Sequence, residues 1–181
     1  MEPVVSVRDL RMRYGDNDVL TGVDFDVAAG QVVCLLGPNG AGKTTTIEIL
    51  EGFRIRSAGE VIVLGQDPGH ADEDWRARTG VVLQSWRDHP RWTPRKLLNQ
   101  LGGYFAPYST PERRRPHDID RLLDTVGLTD LADRKIATLS GGQRRRLDVA
   151  VGIVGRPELL FLDEPTAGFD GHPAWQPVTA Q

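Results

Sequence analysis

The sequence predicts an α/β fold: a mostly parallel sheet with a small helical insert. Three observations carry this. Apolar runs of strand length alternate with helix-period stretches, the pattern of strand–helix–strand units. A glycine-rich turn, Gly37-Pro38-Asn39-Gly40-Ala41-Gly42-Lys43-Thr44, joins one such run to a helix. Between residues 86 and 139 the strand signal gives way to apolar residues at helical spacing.

Residues 4–14 alternate loosely between apolar and polar and read as a strand, as do 19–27 around Gly22. Gln31-Val32-Val33-Cys34-Leu35-Leu36 is a continuous apolar run after Gly30, the mark of a strand buried on both faces. A helix is expected to open at Gly42-Lys43 and to run through Ile47, Ile49 and Leu50 to about Gly52. Strands follow at 61–64, ended by Gly65, and at 81–84. Leu97, Leu98, Leu101, Tyr104 and Phe105 then recur at helical spacing, as do Ile119, Leu122, Leu123 and Val126, with Gly127 placed as a C-terminal cap. Pro107, Pro111 and Pro116 separate these two helical stretches. Ser140 opens the helix that returns the chain to the sheet, and Leu159-Leu160-Phe161-Leu162 reads as a second buried strand.

A chain of 181 residues can bury one domain-sized core, and 39% hydrophobic with 26% charged residues is a globular composition. The net charge of −3 argues against a nucleic-acid-binding polycation. Two basic runs, Arg113-Arg114-Arg115 and Arg144-Arg145-Arg146, read as solvated helix faces. Cys34 is the only cysteine, which excludes an internal disulfide; it is expected to pack as a small hydrophobe. The four histidines lack zinc-ligand spacing. No apolar run approaches the roughly 20 residues that span a bilayer, and no signal peptide opens the chain. Membrane attachment is therefore expected only through a partner.

The glycine-rich turn suits a phosphate for a physical reason. Glycines let the backbone curl so that several N–H groups face one anion, and the helix N-terminus adds roughly half a positive charge. Lys43 can reach outer phosphates, and the Thr44 hydroxyl can serve Mg²⁺. The bland alternative is a chance glycine-rich turn with a surface lysine, but the motif is complete and lies between an apolar run and a helix. Asp163-Glu164 follows the second buried strand, and strand ends are where ligands sit in parallel sheets. Asp163 can hold Mg²⁺ and Glu164 can orient or deprotonate a water; alone, the pair would read as a solvated acidic turn. Ser140 to Gln143 fits a capping box, so Leu139-Ser140-Gly141-Gly142-Gln143 can be read simply as a good helix start. Two first-turn glycines nevertheless weaken a helix by about 1 kcal/mol each, which suggests that an anion from another subunit approaches the backbone.

Together these motifs resemble the ATP-binding cassette family, specifically the nucleotide-binding subunit of a transporter, from residue 4 to about 170. The resemblance implies a phosphate-loop nucleoside triphosphatase fold with an N-terminal antiparallel β region, a 1–170 ATP-binding domain and a helical subdomain at about 86–139. It implies ATP and Mg²⁺ as cofactors. Residues 37–44 and Thr45 look like the phosphate loop and its helix start, and 139–143 like the signature sequence. Glu164 looks like the catalytic glutamate; Thr44, Gln84 and Asp163 look like magnesium contacts. Tyr14 looks like the aromatic that stacks on adenine, although alone it would read as strand packing. Ala167-Gly168-Phe169-Asp170 resembles the loop that crosses to the other subunit, with Phe169 where leucine is usual. The implied assembly is a head-to-tail homodimer, or a pair with a related subunit, that sandwiches two ATPs. It would sit on the cytoplasmic face of the plasma membrane through a separate integral permease, with residues 87–92 and the helical insert facing that partner; Trp86 and Trp92 can belong to that contact or read equally as core or surface tryptophans. Ile47-Glu48-Ile49-Leu50-Glu51-Gly52 and Val63-Leu64-Gly65-Gln66-Asp67-Pro68 resemble a bacterial drug-export branch.

The resemblance fails at the end. No residue matches the family's switch histidine, since His172 follows Glu164 too closely, and residues 171–181 form an atypical tail in which Pro173 and Pro177 oppose a helix. The family's last core strand, which would lie between 31–36 and 159–162, has no counterpart, so the two apolar edges are expected to face a gap or to pair directly. A C-terminally truncated, destabilised product with little ATPase activity is the expectation. Two alternatives stand: a nucleotide-binding remnant without catalysis, and a soluble non-transport cassette protein. The tandem cassettes or long coiled coils usual in the latter are not seen.

Overall fold

A computed structural model describes residues 2–82 and 90–162. Strands Val5–Tyr14 (β1) and Asn17–Val27 (β2) form an antiparallel hairpin, and Ala58–Val63 (β3) adds to the other edge of β1 in the order β2-β1-β3. The hairpin runs from Val5 opposite Val27 to Tyr14 opposite Asn17, closed by Gly15-Asp16 with Gly15 at φ +58°, the left-handed conformation a tight hairpin turn needs. Val5, Val7, Leu10 and Met12 are the buried residues of β1. The period of two slips between Val7 and Leu10 because a bulge inserts there, with Asp9 at φ +46° and its N–H donating to Asp24 Oδ1 at 2.9 Å. This bulge is why the sequence alternates only loosely.

Helix Lys43–Leu50 (α1) packs its Ile49 and Leu50 against this sheet. Helix Glu73–Arg78 (α2), absent from the sequence reading, is N-capped by Asp72 and buries Trp75, whose indole N–H donates to the Val63 carbonyl at 2.7 Å. It runs directly into strand Thr79–Val82 (β4). Helices Pro94–Phe105 (α3), Ile119–Thr125 (α4) and Gly141–Ile153 (α5) enclose a second apolar cluster built on Leu98, Leu123, Leu128 and Leu147. Gly127 caps α4 as its position predicts: it has φ +64°, and the Leu128 N–H reaches back to Leu123 O at 2.8 Å. Strand Leu159–Leu162 (β5) pairs parallel with β4, from Thr79 opposite Leu159 to Val82 opposite Leu162. Among the described residues this is the sole parallel pairing; the other sheet is antiparallel.

Three sequence expectations are corrected. Residues 31–36 form no strand: Val32 is 81% and Leu36 91% exposed. A strand apolar on both faces needs a ladder neighbour and covering layers, and no described strand pairs with this run. Cys34 is consequently exposed and does not pack as a small hydrophobe. The arginine runs are solvated helix faces only in part, since of 144–146 on α5 only Arg146 is exposed. Residues 113–115 lie outside any helix, and the Arg115 side chain is only 3% exposed. Arg115, Arg113 and Arg78 surround Glu158 just before β5, at 3.4, 3.7 and 3.1 Å. Burial alone would raise the pKa of Glu158, but the Arg78 hydrogen bond and the surrounding guanidinium charges hold it below the ordinary carboxylate range. In the second run Arg145 is buried, and Arg146 donates to the Val126 and Gly127 carbonyls at the end of α4.

One ion pair ties together the two ends of β3. Arg56 donates to both Asp67 oxygens at 2.8 and 2.9 Å. That hydrogen bonding outweighs burial and, with the Gly69 N–H, lowers the Asp67 pKa to about 2. A carboxylate depressed in the folded state stabilises fully above its ordinary pKa of about 4, and the contribution is lost as pH falls towards 2. Asp67→Asn is therefore expected to melt below wild type at pH 7, with the gap narrowing between about pH 4 and pH 2. Thermal unfolding of both proteins across that range measures it; a gap independent of pH would refute the assignment.

Candidate functional site

The phosphate loop is set against β2. Gly42 has φ +80°, and a Cβ there would lie 2.5 Å from Leu20 Cδ2 and 3.1 Å from the Val19 carbonyl, so only glycine permits this approach. Gly40, at φ +82°, opens into free space, whereas a Cβ on Gly37 would just touch Ala41. Ala41 donates to Pro38 O at 3.2 Å, which curls the loop, and Asn39 is exposed at its crest.

Lys43 begins α1, and its Nζ donates to the carbonyls of Gly37 and Pro38 at 2.8 Å each, drawing the ammonium over the loop. Thr44 is exposed and Thr45 half-buried in the first turn, and the Thr46 N–H makes the first bond back to Gly42 O. Helices α2 to α5 are each capped by a side chain, from Asp72, Thr93, Asp118 and Ser140, but no side chain among the described residues caps α1. Its first-turn N–H groups have no intrahelical acceptor by geometry, so an anion can serve that role. Glycine cradle, uncapped helix end and ammonium together suit a polyphosphate.

Tyr14 ends β1 and is 40% exposed, with the Arg54 guanidinium carbon 5.2 Å from its ring centroid. Sequence reasoning missed Arg54; the available signal was Gly52, which marks where α1 stops. Val19 and Leu20, against which Gly42 rests, lie two and three residues beyond Asn17, the partner of Tyr14. At about 3.4 Å per residue, the backbone position on β2 opposite Tyr14 is roughly 7–10 Å along the strand from the residues that Gly42 touches.

Ser140 forms the expected capping box: its Oγ accepts from the Gln143 N–H at 3.3 Å, and Gln143 Oε1 accepts from the Ser140 N–H at 2.9 Å. Gly141 and Gly142 are exposed, with nothing within 4 Å of where a Cβ would stand. Packing among the described residues therefore requires neither glycine. No hydrogen bond among the described residues joins 139–143 to the phosphate loop; α1 packs in the first apolar cluster and α5 in the second.

Gln84, Asp163 and Glu164 lie outside the described residues, as do residues 167–170, His172, Trp86 and the tail. The strands that precede them end level, Val82 opposite Leu162. Trp92 is packed against the second apolar cluster, with the Lys96 ammonium 4.7 Å from its ring centroid.

Comparison with known proteins agrees with this architecture. The chain is 44% identical over 170 residues to the Nod factor export ATP-binding protein I of Ralstonia nicotianae, an alignment covering 93% of this chain and 51% of that protein. Its counterpart in Cupriavidus metallidurans is 38% identical over 170 residues, covering 94% and 55%. The chain thus spans about half the length of the curated relatives it matches. Among solved structures, an ATP-binding cassette of an ABC transporter in its ADP conformation superposes with a TM-score of 0.75 at 25% identity, covering 93% of this chain and 71% of that one. A nucleotide-free ATP-binding cassette gives 0.72 at 24% identity, which speaks for the fold alone, covering 90% and 69%. The sequence profile described as ABC transporter matches residues 20–167, most of the chain, and on that match the chain belongs to the ABC transporter family.

Proposed function

We propose that this chain is the ATP-binding subunit of an exporter and that it couples ATP binding and hydrolysis to transport through a separate membrane permease. The observation that carries the reading is the uncapped start of α1 under a glycine loop, with the Lys43 ammonium drawn over it. Residues 37–45 hold the triphosphate, and Tyr14 faces the base. Magnesium would neutralise phosphate charge, with Thr44, Gln84 and Asp163 as its contacts, and Glu164 would orient the attacking water. Export, not import, is favoured by the export role for which the relatives are named, and the drug-export branch is a finer form of the same reading.

The bare first turn of α5 supports a head-to-tail partner, a second copy or a related subunit, whose bound nucleotide meets Ser140 to Gln143. The nucleotide-binding unit is residues 1–170, with 86–139 as its helical subdomain. No helix among the described residues is long and apolar enough to cross a membrane. That suits a subunit held at the cytoplasmic face by its permease. A second reading, ATP binding without turnover, is favoured by the exposed, unladdered residues 31–36 ahead of the loop.

Gly142→Ala tests the first reading. Nothing blocks a methyl group there, and alanine is the better helix former, so the variant should gain about 0.5–1 kcal/mol and melt about 1–3 °C higher. If a partner's nucleotide closes on this turn, turnover should nevertheless fall at least about tenfold, or 1.4 kcal/mol in barrier. Melting and ATPase assays on one preparation decide it. Wild-type turnover in the stabilised variant would sink the signature role, and ATP affinity without any turnover in wild type would select the second reading.

A further inference from the structure

The end of α1 delivers one side chain to an unexpected place. Gly52 has φ +76°, its N–H reaches Ile49 O at 3.1 Å, and the Phe53 N–H reaches Glu48 O at 2.9 Å, a Schellman cap. The Arg54 N–H also donates to Glu48 O, at 3.1 Å. A Cβ on Gly52 would stand 2.6 Å from the Pro68 carbonyl, so this exit from the helix is tightly constrained. The chain therefore leaves α1 in one direction, and Arg54 is held twice. Its Nε pairs with Glu48 Oε2 at 2.6 Å, and its guanidinium lies over the Tyr14 ring.

We propose that Arg54 is a positioning residue that fixes the Tyr14 ring as a preformed nucleobase platform, with Glu48 as its anchor. The proposal rests on the reading of this site as an ATP site and deepens it. A cation over one ring face leaves the other face for a flat heteroaromatic base. A ring already fixed loses less rotamer freedom when the base arrives. Glu48 lies five residues after Lys43, about 7.5 Å along the helix, so α1 sets the phosphate-binding end and the ring support together. Arg54 thus acts on the base and not on the phosphates.

The test uses the full chain with Mg²⁺ and compares affinity for ATP with affinity for inorganic tripolyphosphate, which has no base. Arg54→Ala is expected to weaken ATP about three- to fivefold, as loss of an exposed cation–π contact implies, and to leave tripolyphosphate unchanged. Arg54→Lys should recover part of the loss, because it keeps the charge and loses the plane. Glu48→Gln should reproduce the weakening in milder form. In a Tyr14→Ala background, Arg54→Ala should have no further effect.

If Tyr14→Ala weakens ATP but Arg54→Ala and Glu48→Gln leave it unchanged or tighter, the positioning role is overturned while the ATP site stands. If Tyr14→Ala itself leaves ATP affinity unchanged, the platform falls and the phosphate loop is untouched. Wild type that binds neither ligand overturns the ATP reading as a whole. Tripolyphosphate binding in each variant reports that its phosphate loop is folded, and the two milder substitutions decide the matter should Arg54→Ala fail to fold.

Discussion

Lys43→Ala is expected to lower ATP affinity about 100-fold, or 2.7 kcal/mol, while the protein still melts within about 6 °C of wild type. The two halves have separate causes. In the folded chain Lys43 Nζ spends its hydrogen bonds on two carbonyls of its own loop, Gly37 and Pro38. Those groups lie at the surface, where water replaces a lost bond at small cost, typically about 0.5–1.5 kcal/mol. Against a polyphosphate the same ammonium is worth about 4 kcal/mol at 4 Å and an effective dielectric near 20, before desolvation. Giving up the two carbonyl bonds reduces that gain, which leaves roughly two decades of affinity. Isothermal titration with ATP beside thermal unfolding reads both quantities. Unchanged affinity would remove the basis for the proposed function. A large fall in melting temperature would mean instead that Lys43 is chiefly a brace for its loop.

Lys43 also illustrates what the sequence makes legible. The loop, the Ser140 capping box and the Gly127 cap are local motifs, in which a few adjacent residues satisfy one another's backbone groups; they appear where the spacing puts them. The parallel pairing of β4 and β5 is non-local; β4 lies at 79–82 and shares only Val81 and Val82 with the strand expected at 81–84, while β5 announced itself as an apolar run. Residues 31–36 announced themselves in the same way and form no strand. An apolar run states a capacity for burial, while a ladder neighbour decides whether burial occurs. Arg115 failed in the opposite sense. Its charge reads as surface, yet Glu158, 43 residues away, makes a buried position tolerable. Helix α2 has six residues, too few for a periodic signal, although Asp72 marks its start. The Arg54–Tyr14 contact joins a helix exit to a hairpin end, and no spacing rule connects residues forty positions apart. The Asp163-Glu164 pair, and Gln84, whose role comes only from the family resemblance, lie outside the described residues.

Gly152→Val should be among the most destabilising single changes in the chain, costing about 3 kcal/mol or more and lowering the melting temperature by roughly 6–12 °C. Glycine within a helix is ordinarily a liability of about 1 kcal/mol relative to alanine. In α5 it allows a close approach: a Cβ on Gly152 would collide with Val82 Cγ2 and lie 3.0 Å from the Val81 carbonyl. The opposing position is glycine as well, since a Cβ on Gly80 would strike the Gly152 carbonyl and stand 2.8 Å from Pro157 Cγ. Helix and strand therefore meet backbone to backbone, and the two γ-carbons of valine have to push α5 away from β4. Gly103 supplies the control. It too is helical, but it is exposed and has nothing within 4 Å of a Cβ, so Gly103→Ala should stabilise by about 1 kcal/mol. Gly152→Ala should destabilise despite the same gain in helix propensity, because the added methyl meets backbone as well as side chain. Opposite signs for one substitution at two helical glycines would separate packing from propensity. The consequence reaches the proposed signature turn, because α5 begins at the Ser140 cap: a helix displaced at Gly152 would carry its first turn with it. Should both alanine variants melt higher than wild type, α5 and β4 do not touch at these two glycines.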